Sequence, residues 1–165
     1  MSAGSLRKSW LPERKELNHV VILTIATVTS LLIARLFRMP EYYWAPITTI
    51  VVMQSTLGAA WTISKQRFIG TAIGAATGAF LATYFGTNVV VFGAGILVSG
   101  LICASLHLER NAFRYTGITF AIILLITRPQ APWIVAVHRF LEISIGITVG
   151  LAITAIFPED QSAKA

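Results

Sequence analysis

The sequence has little charge for its length. Only 12% of its 165 residues are Asp, Glu, Lys or Arg, whereas 55% are apolar. A typical globular domain has roughly 25% charged residues. With 13 basic and 7 acidic side chains, the chain cannot give a soluble fold of this size a charged surface. This excludes a soluble enzyme of ordinary surface, a disordered tail and a nucleic-acid-binding module, so no nucleic-acid partner is expected.

Residues that carry catalytic or metal chemistry are also scarce. The only aspartate, Asp160, lies near the C-terminus, and the only cysteine, Cys103, lies in an apolar run. The glycine-rich segment 70–74 lacks the lysine of a phosphate-binding loop. The histidines are dispersed along the chain: His19, His107 and His138. We therefore expect no enzyme activity, no cofactor and no metal site.

Long charge-free runs are present instead, at residues 17–34, 42–64, 68–106, 115–127 and 143–158. A membrane-spanning helix needs about 20 apolar residues. The third run is long enough for two helices, and Gly86-Thr87-Asn88 marks a turn between them. The sequence predicts an all-α, polytopic membrane protein with six transmembrane helices near 18–37, 43–61, 67–85, 88–107, 111–127 and 133–157. A soluble six-helix bundle would need polar helix faces, and the third and fourth segments have none.

The basic residues predict the orientation of these spans, because cytoplasmic loops carry an excess of Lys and Arg. Nine basic residues fall on one side: Arg7, Lys8, Arg14, Lys15, Lys65, Arg67, Arg110, Arg114 and Lys164. Four fall on the other: Arg35, Arg38, Arg128 and Arg139. We expect a cytoplasmic or interfacial segment at 1–17, a six-helix transmembrane domain at 18–157 and a cytoplasmic tail at 158–165.

An internal repeat appears when the sequence is compared with itself at an offset of 72 residues. Identities include Trp61 with Trp133, Arg67 with Arg139, and Gly74 with Gly146. The repeat halves, at about 18–86 and 88–157, each contain three predicted spans. Because three is odd, the second half enters the membrane from the opposite side. Inverted repeats of this kind are typical of transporters, whose site lies between the halves. Duplication without a transport role is the alternative.

Of the charged residues inside predicted spans, three are candidates for a substrate path: Arg67, Arg139 and Glu142. An intramembrane carboxylate is costly, so Glu142 indicates function by default. It lies one helical turn after Arg139, where an ion pair is possible. That pair is either structural or, if it separates, a proton site. Alternatively, the side chains of Arg67 and Arg139 only extend toward the lipid headgroups.

Small residues recur four apart in the third and sixth spans: Gly70, Gly74 and Gly78, then Gly146 and Gly150. This spacing allows close helix packing in lipid; alternatively, the two spans cross at the centre and line the path. Basic residues near both ends of the spans favour anions over cations. Trp44 is either an interfacial belt residue or a ring at the mouth that stacks on aromatic ligands.

Several motifs together resemble the fusaric-acid-resistance-like membrane family. They are Tyr43-Trp44-Ala45-Pro46-Ile47-Thr48, the segment Val51–Thr56, Arg67-Phe68-Ile69-Gly70-Thr71-Ala72-Ile73-Gly74, and the segment His138–Gly146. The resemblance covers about residues 20–157. It implies a six-helix transporter-like domain in a bacterial inner membrane, with Trp44 and Thr48 added to the candidate path residues.

The resemblance also implies a function. Relatives include bacterial exporters of aromatic carboxylic acids and plant aluminium-activated malate channels. We therefore expect an exporter of organic anions, with an anion-channel-like pore or a non-transporting membrane subunit as alternatives. The chain is shorter than many relatives, which suggests a homo-oligomer, a dimer or higher.

Overall fold

The structure is a computed structural model that describes residues 14–53, 56–126 and 129–157. Within these ranges the chain forms six helices and no strands: α1 (Arg14–Leu36), α2 (Trp44–Val52), α3 (Leu57–Tyr84), α4 (Val89–Ser105), α5 (Arg110–Leu125) and α6 (Pro132–Ile156). The all-α class expected from the sequence is confirmed. Most of the predicted N-terminal segment and the predicted tail, with Arg7, Lys8 and Lys164, lie outside the described residues, as does Arg128.

The predicted second span, 43–61, is wrong in its extent. Helix α2 has 9 residues and ends at Val52, where Met53 takes an extended conformation with ψ 110°. Helix α3 then begins at Leu57, ten residues before the predicted third span. The hydroxyl of Thr56 accepts a hydrogen bond from the Ala59 N–H at 3.0 Å, which caps the new helix. Lys65 and Arg67 therefore lie within α3 and not in a connection between helices.

Two helices are long and apolar enough to cross a bilayer alone, namely Glu16–Leu36 within α1 and α6. Helix α4 is apolar but has only 17 residues. Helix α3 has 28 residues, although polar side chains interrupt its first half. The predicted number of six spans therefore remains a prediction.

The exterior of the bundle is strongly apolar, and its interior mixes apolar and polar side chains. Large apolar side chains such as Val20, Leu32, Leu97 and Leu101 are exposed on α1 and α4. The buried polar residues of the described ranges are Ser30, Thr48, Thr49, Ser64, Gln66, Arg67, Thr71, Ser99, Thr116, Thr119, Arg139, Glu142 and Thr154. An apolar exterior with charged groups turned inward is the arrangement expected of helices whose outer faces meet lipid.

Helix packing repeats between the two halves of the chain. Helices α3 and α6 pack on each other at the centre, α3 also packs on α5, and α6 also packs on α2. Helix α1 contacts α2 and α6, while α4 contacts α5 and α3. Exchanging α1 with α4, α2 with α5 and α3 with α6 therefore reproduces the whole set of contacts.

Glycines produce the two equivalent crossings. A Cβ on Gly74 would overlap the Thr116 carbonyl oxygen of α5, and a Cβ on Gly146 would overlap the Ala45 carbonyl oxygen of α2. One turn further, Gly78 faces Ile123 and Gly150 faces Val52. The glycines of α3 and α6 thus let α5 and α2 approach to backbone contact.

Candidate functional site

A small cavity lies where α2, α3, α5 and α6 meet. We call it the arginine cavity, after Arg67 of α3 and Arg139 of α6. The complete lining is Trp44, Arg67, Thr71, Tyr115, Ile118, Thr119, Ile122, Arg139 and Ile143. Two cationic groups, the rings of a tryptophan and a tyrosine, and two threonine hydroxyls therefore meet among three isoleucines at the centre of the bundle.

Arg67 is buried without a neutralising carboxylate. Its side chain is 7% exposed, and its NH2 donates to the Thr48 hydroxyl at 3.1 Å. The guanidinium carbon lies 5.0 Å from the centre of the Tyr115 ring, which is a cation–π distance. Within the described parts of the chain no acidic side chain forms an ion pair with Arg67. The Arg67 end of the cavity therefore carries a net positive charge.

Arg139 occupies the equivalent place in α6 but is compensated. It is 1% exposed, and its guanidinium carbon lies 3.9 Å from the centre of the Trp44 ring. Its NH2 lies 3.2 Å from Oε2 of Glu41, in the connection between α1 and α2. Each arginine thus lies on an aromatic ring from the second helix of a half. Among the described residues, Arg139 pairs with a carboxylate and Arg67 does not.

Helix α2 connects the two arginines. Trp44, its first residue, stacks on Arg139, and Thr48, one turn later, accepts from Arg67. Pro46 is compatible with this helix because the first turn leaves its backbone N–H groups without intrahelical acceptors. A shift of α2 relative to α6 would therefore change the surroundings of both cationic groups together.

Glu142 lies one turn after Arg139 and is 0% exposed. Its Oε1 accepts a hydrogen bond from the backbone N–H of Glu41 at 2.9 Å. This bond fixes the Glu41 backbone next to α6, where the Glu41 side chain reaches Arg139. Glu142 thus supports the ion pair of Glu41 with Arg139 by holding the Glu41 backbone. It does not itself line the arginine cavity.

Some buried polar atoms of the cavity lining, taken from residues other than Arg139, have no hydrogen-bond partner within the described residues. They are Nε1 of Trp44, Nε of Arg67 and the hydroxyl of Thr71. All three are able to donate a hydrogen bond, and an unsatisfied buried donor costs about 1–3 kcal/mol. A ligand that accepts hydrogen bonds and carries negative charge would satisfy them.

The cavity is too narrow for an organic ligand in this conformation. Its volume is about 10 Å³, which is about the space needed for one water molecule. An organic acid needs far more room. Occupation by such a ligand therefore requires the helices around the cavity to separate.

The structure brings together most of the residues that the sequence indicated. Arg67, Arg139 and Trp44 line the arginine cavity, Thr48 binds Arg67, and Glu142 binds the Glu41 backbone. Gly70, Gly74 and Gly78 face α5, and Gly146 and Gly150 face α2. Sequence reasoning missed the roles of Glu41, Thr71, Tyr115 and Thr119. For Tyr115 the sequence did contain a signal. At the offset of 72 residues it matches Tyr43, which is the neighbour of Trp44.

Comparison with known proteins defines the class to which this helical bundle belongs. Residues 25–153 match the family described as fusaric acid resistance protein-like. This match covers more than half of the chain, which therefore belongs to that family.

Named relatives support the same class. The chain is 30% identical over 151 residues to a protein of Escherichia coli K12 named uncharacterized transporter YdhK, covering 86% of this chain and 22% of that protein. The protein of the same name from Salmonella typhimurium LT2 is 27% identical, with the same coverage. The chain thus spans about a fifth of the length of these relatives. No solved structure matches it significantly.

Proposed function

We propose that this chain is a membrane transport domain that exports organic anions, with aromatic carboxylic acids as the expected class, across a bacterial inner membrane. The observation that carries this proposal is that Arg67 is buried in the arginine cavity with no ion-pair partner among the described residues, next to donors without acceptors there. Family membership and the transporter names of the relatives support the general class.

Charge favours an anion as the ligand. A buried cation in a membrane domain is costly, and it is stabilised by a partner of opposite charge. Two parallel N–H groups of a guanidinium can donate to the two oxygens of one carboxylate. The Thr71 hydroxyl and the Trp44 indole N–H, which line the same cavity, would supply further donors to such a ligand.

The apolar part of the lining favours an aromatic acid over a small inorganic ion. Ile118, Ile122 and Ile143 line the cavity together with the rings of Trp44 and Tyr115. Ligand sites commonly combine an apolar wall with a few placed polar groups. A ligand with a ring and one carboxylate would use both parts of the lining.

The repeated packing supports an alternating-access mechanism. Many transporters place their site between two inverted repeats and expose it by moving one against the other. Here the exchange of equivalent helices reproduces the contacts, and the arginine cavity receives residues from both halves. In this proposal the narrow cavity is a conformation without substrate, and separation of α2 from α6 or of α5 from α3 widens it.

Uptake of radiolabelled benzoate into proteoliposomes tests this function. Wild-type chain should give saturable uptake, and Arg67→Gln should reduce the initial rate at least about tenfold, because a hydrogen-bonded charge contributes roughly 1.5–3 kcal/mol. Lys65→Gln is the matched control, since Lys65 is exposed on the same helix and contacts the Trp61 ring outside the cavity. Wild-type rates in Arg67→Gln would contradict this site.

The same assay separates the alternatives. A conductive, non-saturating flux of benzoate would indicate an anion-channel-like pore, and absence of flux would indicate a non-transporting subunit. We also propose that the chain assembles as a homo-oligomer, a dimer or higher. Native mass spectrometry in detergent would measure the number of copies.

A further inference from the structure

We propose that the Glu41 carboxylate competes with the substrate anion for Arg139. The Glu41 carboxylate occupies Arg139, and a substrate carboxylate must displace it to bind both arginines. This inference rests on the proposed function, because it assumes that an anion enters the arginine cavity. It assigns Glu41 a part in determining affinity, separate from the arginines that bind the ligand.

The contact has the chemistry of a ligand mimic. The Oε2 atom of Glu41 lies 3.2 Å from the Arg139 NH2, which is the group that a substrate carboxylate would engage. Carboxylate and guanidinium form the same charge-assisted bonds whether the acid belongs to the chain or to a ligand. A guanidinium has five N–H donors, but two carboxylates placed at one guanidinium repel each other, so the two acids compete.

The position of Glu41 lets its carboxylate move without unwinding a helix. Glu41 lies in the connection between α1 and α2 and is 16% exposed, whereas Arg139 is 1% exposed. Its backbone is held separately: its N–H donates to Glu142 at 2.9 Å, and its carbonyl accepts from the Trp44 N–H at 3.0 Å. Rotation of the side chain toward its exposed side would therefore release Arg139 and leave the turn in place.

The other half of the chain provides an internal comparison. Glu109 also precedes the second helix of its half, and its carbonyl accepts from the Ala112 N–H at 2.9 Å. Its carboxylate, however, accepts a hydrogen bond from Nε2 of Gln66, the residue before Arg67. Each connection thus contains a glutamate, although Glu109 lies about one turn before the position equivalent to Glu41. Among the described residues, only Glu41 pairs with an arginine. An entering anion would find Arg67 available and Arg139 occupied.

A purely structural ion pair predicts a different response to mutation. If Glu41 only stabilised Arg139 and the ligand did not reach Arg139, its removal would leave a buried charge unpaired and destabilise the bundle without tightening ligand binding. If Glu41 competes, its removal tightens ligand binding. An occupancy of Arg139 by Glu41 of about nine-tenths would raise the apparent Kd about tenfold.

The experiment measures benzoate affinity in detergent micelles by calorimetry, together with the thermal unfolding midpoint at increasing benzoate concentration. The variants are Glu41→Ala and its matched control Glu109→Ala. We expect Glu41→Ala to bind benzoate about tenfold more tightly than wild type and to gain more stability from it, because benzoate replaces the missing carboxylate. Glu109→Ala should bind benzoate like wild type. The double variant Glu41→Ala/Arg139→Gln should lose the gain.

The outcomes separate this inference from the proposed function. If wild type binds benzoate and Arg67→Gln weakens that binding, but folded Glu41→Ala binds with unchanged or lower affinity, Glu41 is not a competitor. If neither wild type nor Glu41→Ala binds benzoate, the proposed function fails first. Should Glu41→Ala not fold even with benzoate present, Glu41→Gln provides the same comparison with the side-chain volume kept, and unchanged or weaker binding there overturns the inference.

Discussion

At the scale of single residues, the interior is organised around two arginines with unequal compensation. Arg67 contacts a hydroxyl and a ring, whereas Arg139 contacts a ring and the Glu41 carboxylate. Guanidinium groups stay charged in proteins, so neither arginine can relieve its burial by losing a proton. The difference between them makes the Arg67 end of the cavity the more favourable place for a negative charge.

Glu142→Gln should destabilise the protein. Glu142 is fully buried and accepts the Glu41 N–H, so the substitution replaces a charged acceptor by a neutral one and costs about 1–2 kcal/mol. The thermal unfolding midpoint in detergent should fall, while the control Thr148→Ala, at an exposed position of the same helix, should leave it nearly unchanged. Wild-type stability combined with loss of the pH dependence of benzoate transport would instead identify Glu142 as a proton site.

Residues of the site differ in how far sequence reasoning could reach them. Arg67, Arg139 and Glu142 are recognisable because each interrupts an apolar region in which charge is costly. Glu41 lies in a polar connection, where a carboxylate needs no explanation, and its partner lies in the other half of the chain. Only the folded arrangement brings Glu41 to Arg139, so no local pattern predicts that contact.

At the scale of elements, helix lengths depend on features that charge-free runs do not mark. The run 42–64 contains both α2 and the beginning of α3, and the boundary is set by the Thr56 cap and the extended Met53. In contrast, the predicted sixth span, 133–157, agrees with α6 to one residue at each end. A charged residue marks a helix end only where its side chain faces water. Arg67 is buried within α3, so it does not mark the start of that helix.

Adding a methyl group at the helix crossings should separate the helices. Gly74→Ala and Gly146→Ala would each place a Cβ against a carbonyl oxygen of α5 or α2, and membrane helices depend on such close packing. Each variant should lower the thermal unfolding midpoint and reduce benzoate uptake. Gly93→Ala is the matched control because a Cβ there meets nothing within 4 Å; alanine favours a helix over glycine by about 1 kcal/mol. Equal midpoints in all three variants would contradict tight crossings.

At the scale of the whole molecule, the offset of 72 residues predicted which helices are equivalent, although not their exact register. The glycines of α3 and α6 keep that offset, as in Gly74 and Gly146. Their contact residues on α5 and α2 differ by 71, since Gly74 faces Thr116 and Thr119 where Gly146 faces Ala45 and Thr48. A one-residue difference between halves is invisible in an ungapped comparison, and only the contacts reveal it.

The two halves also end their first helices in the same way, which provides a test of the inverted arrangement. The Arg38 N–H donates to Arg35 and the Met39 N–H to Ala34; the His107 N–H donates to Ala104 and the Leu108 N–H to Cys103. Each pair of hydrogen bonds forms the pattern that ends many helices, and φ is 52° at both Arg38 and His107. Arg38 and His107, which are both exposed, therefore mark the equivalent turns after α1 and α4.

If the halves are inverted in a bilayer, these two turns lie on opposite sides. Single cysteines at Arg38→Cys and His107→Cys, in a Cys103→Ser background that removes the buried native thiol, should react differently with a membrane-impermeant maleimide on intact cells. The excess of basic residues predicts a cytoplasmic position for the turn after α4. We therefore expect Arg38→Cys to label from outside and His107→Cys to label only after permeabilisation. Labelling of both positions from the same side would rule out inverted halves, and with them an alternating-access site between equivalent repeats.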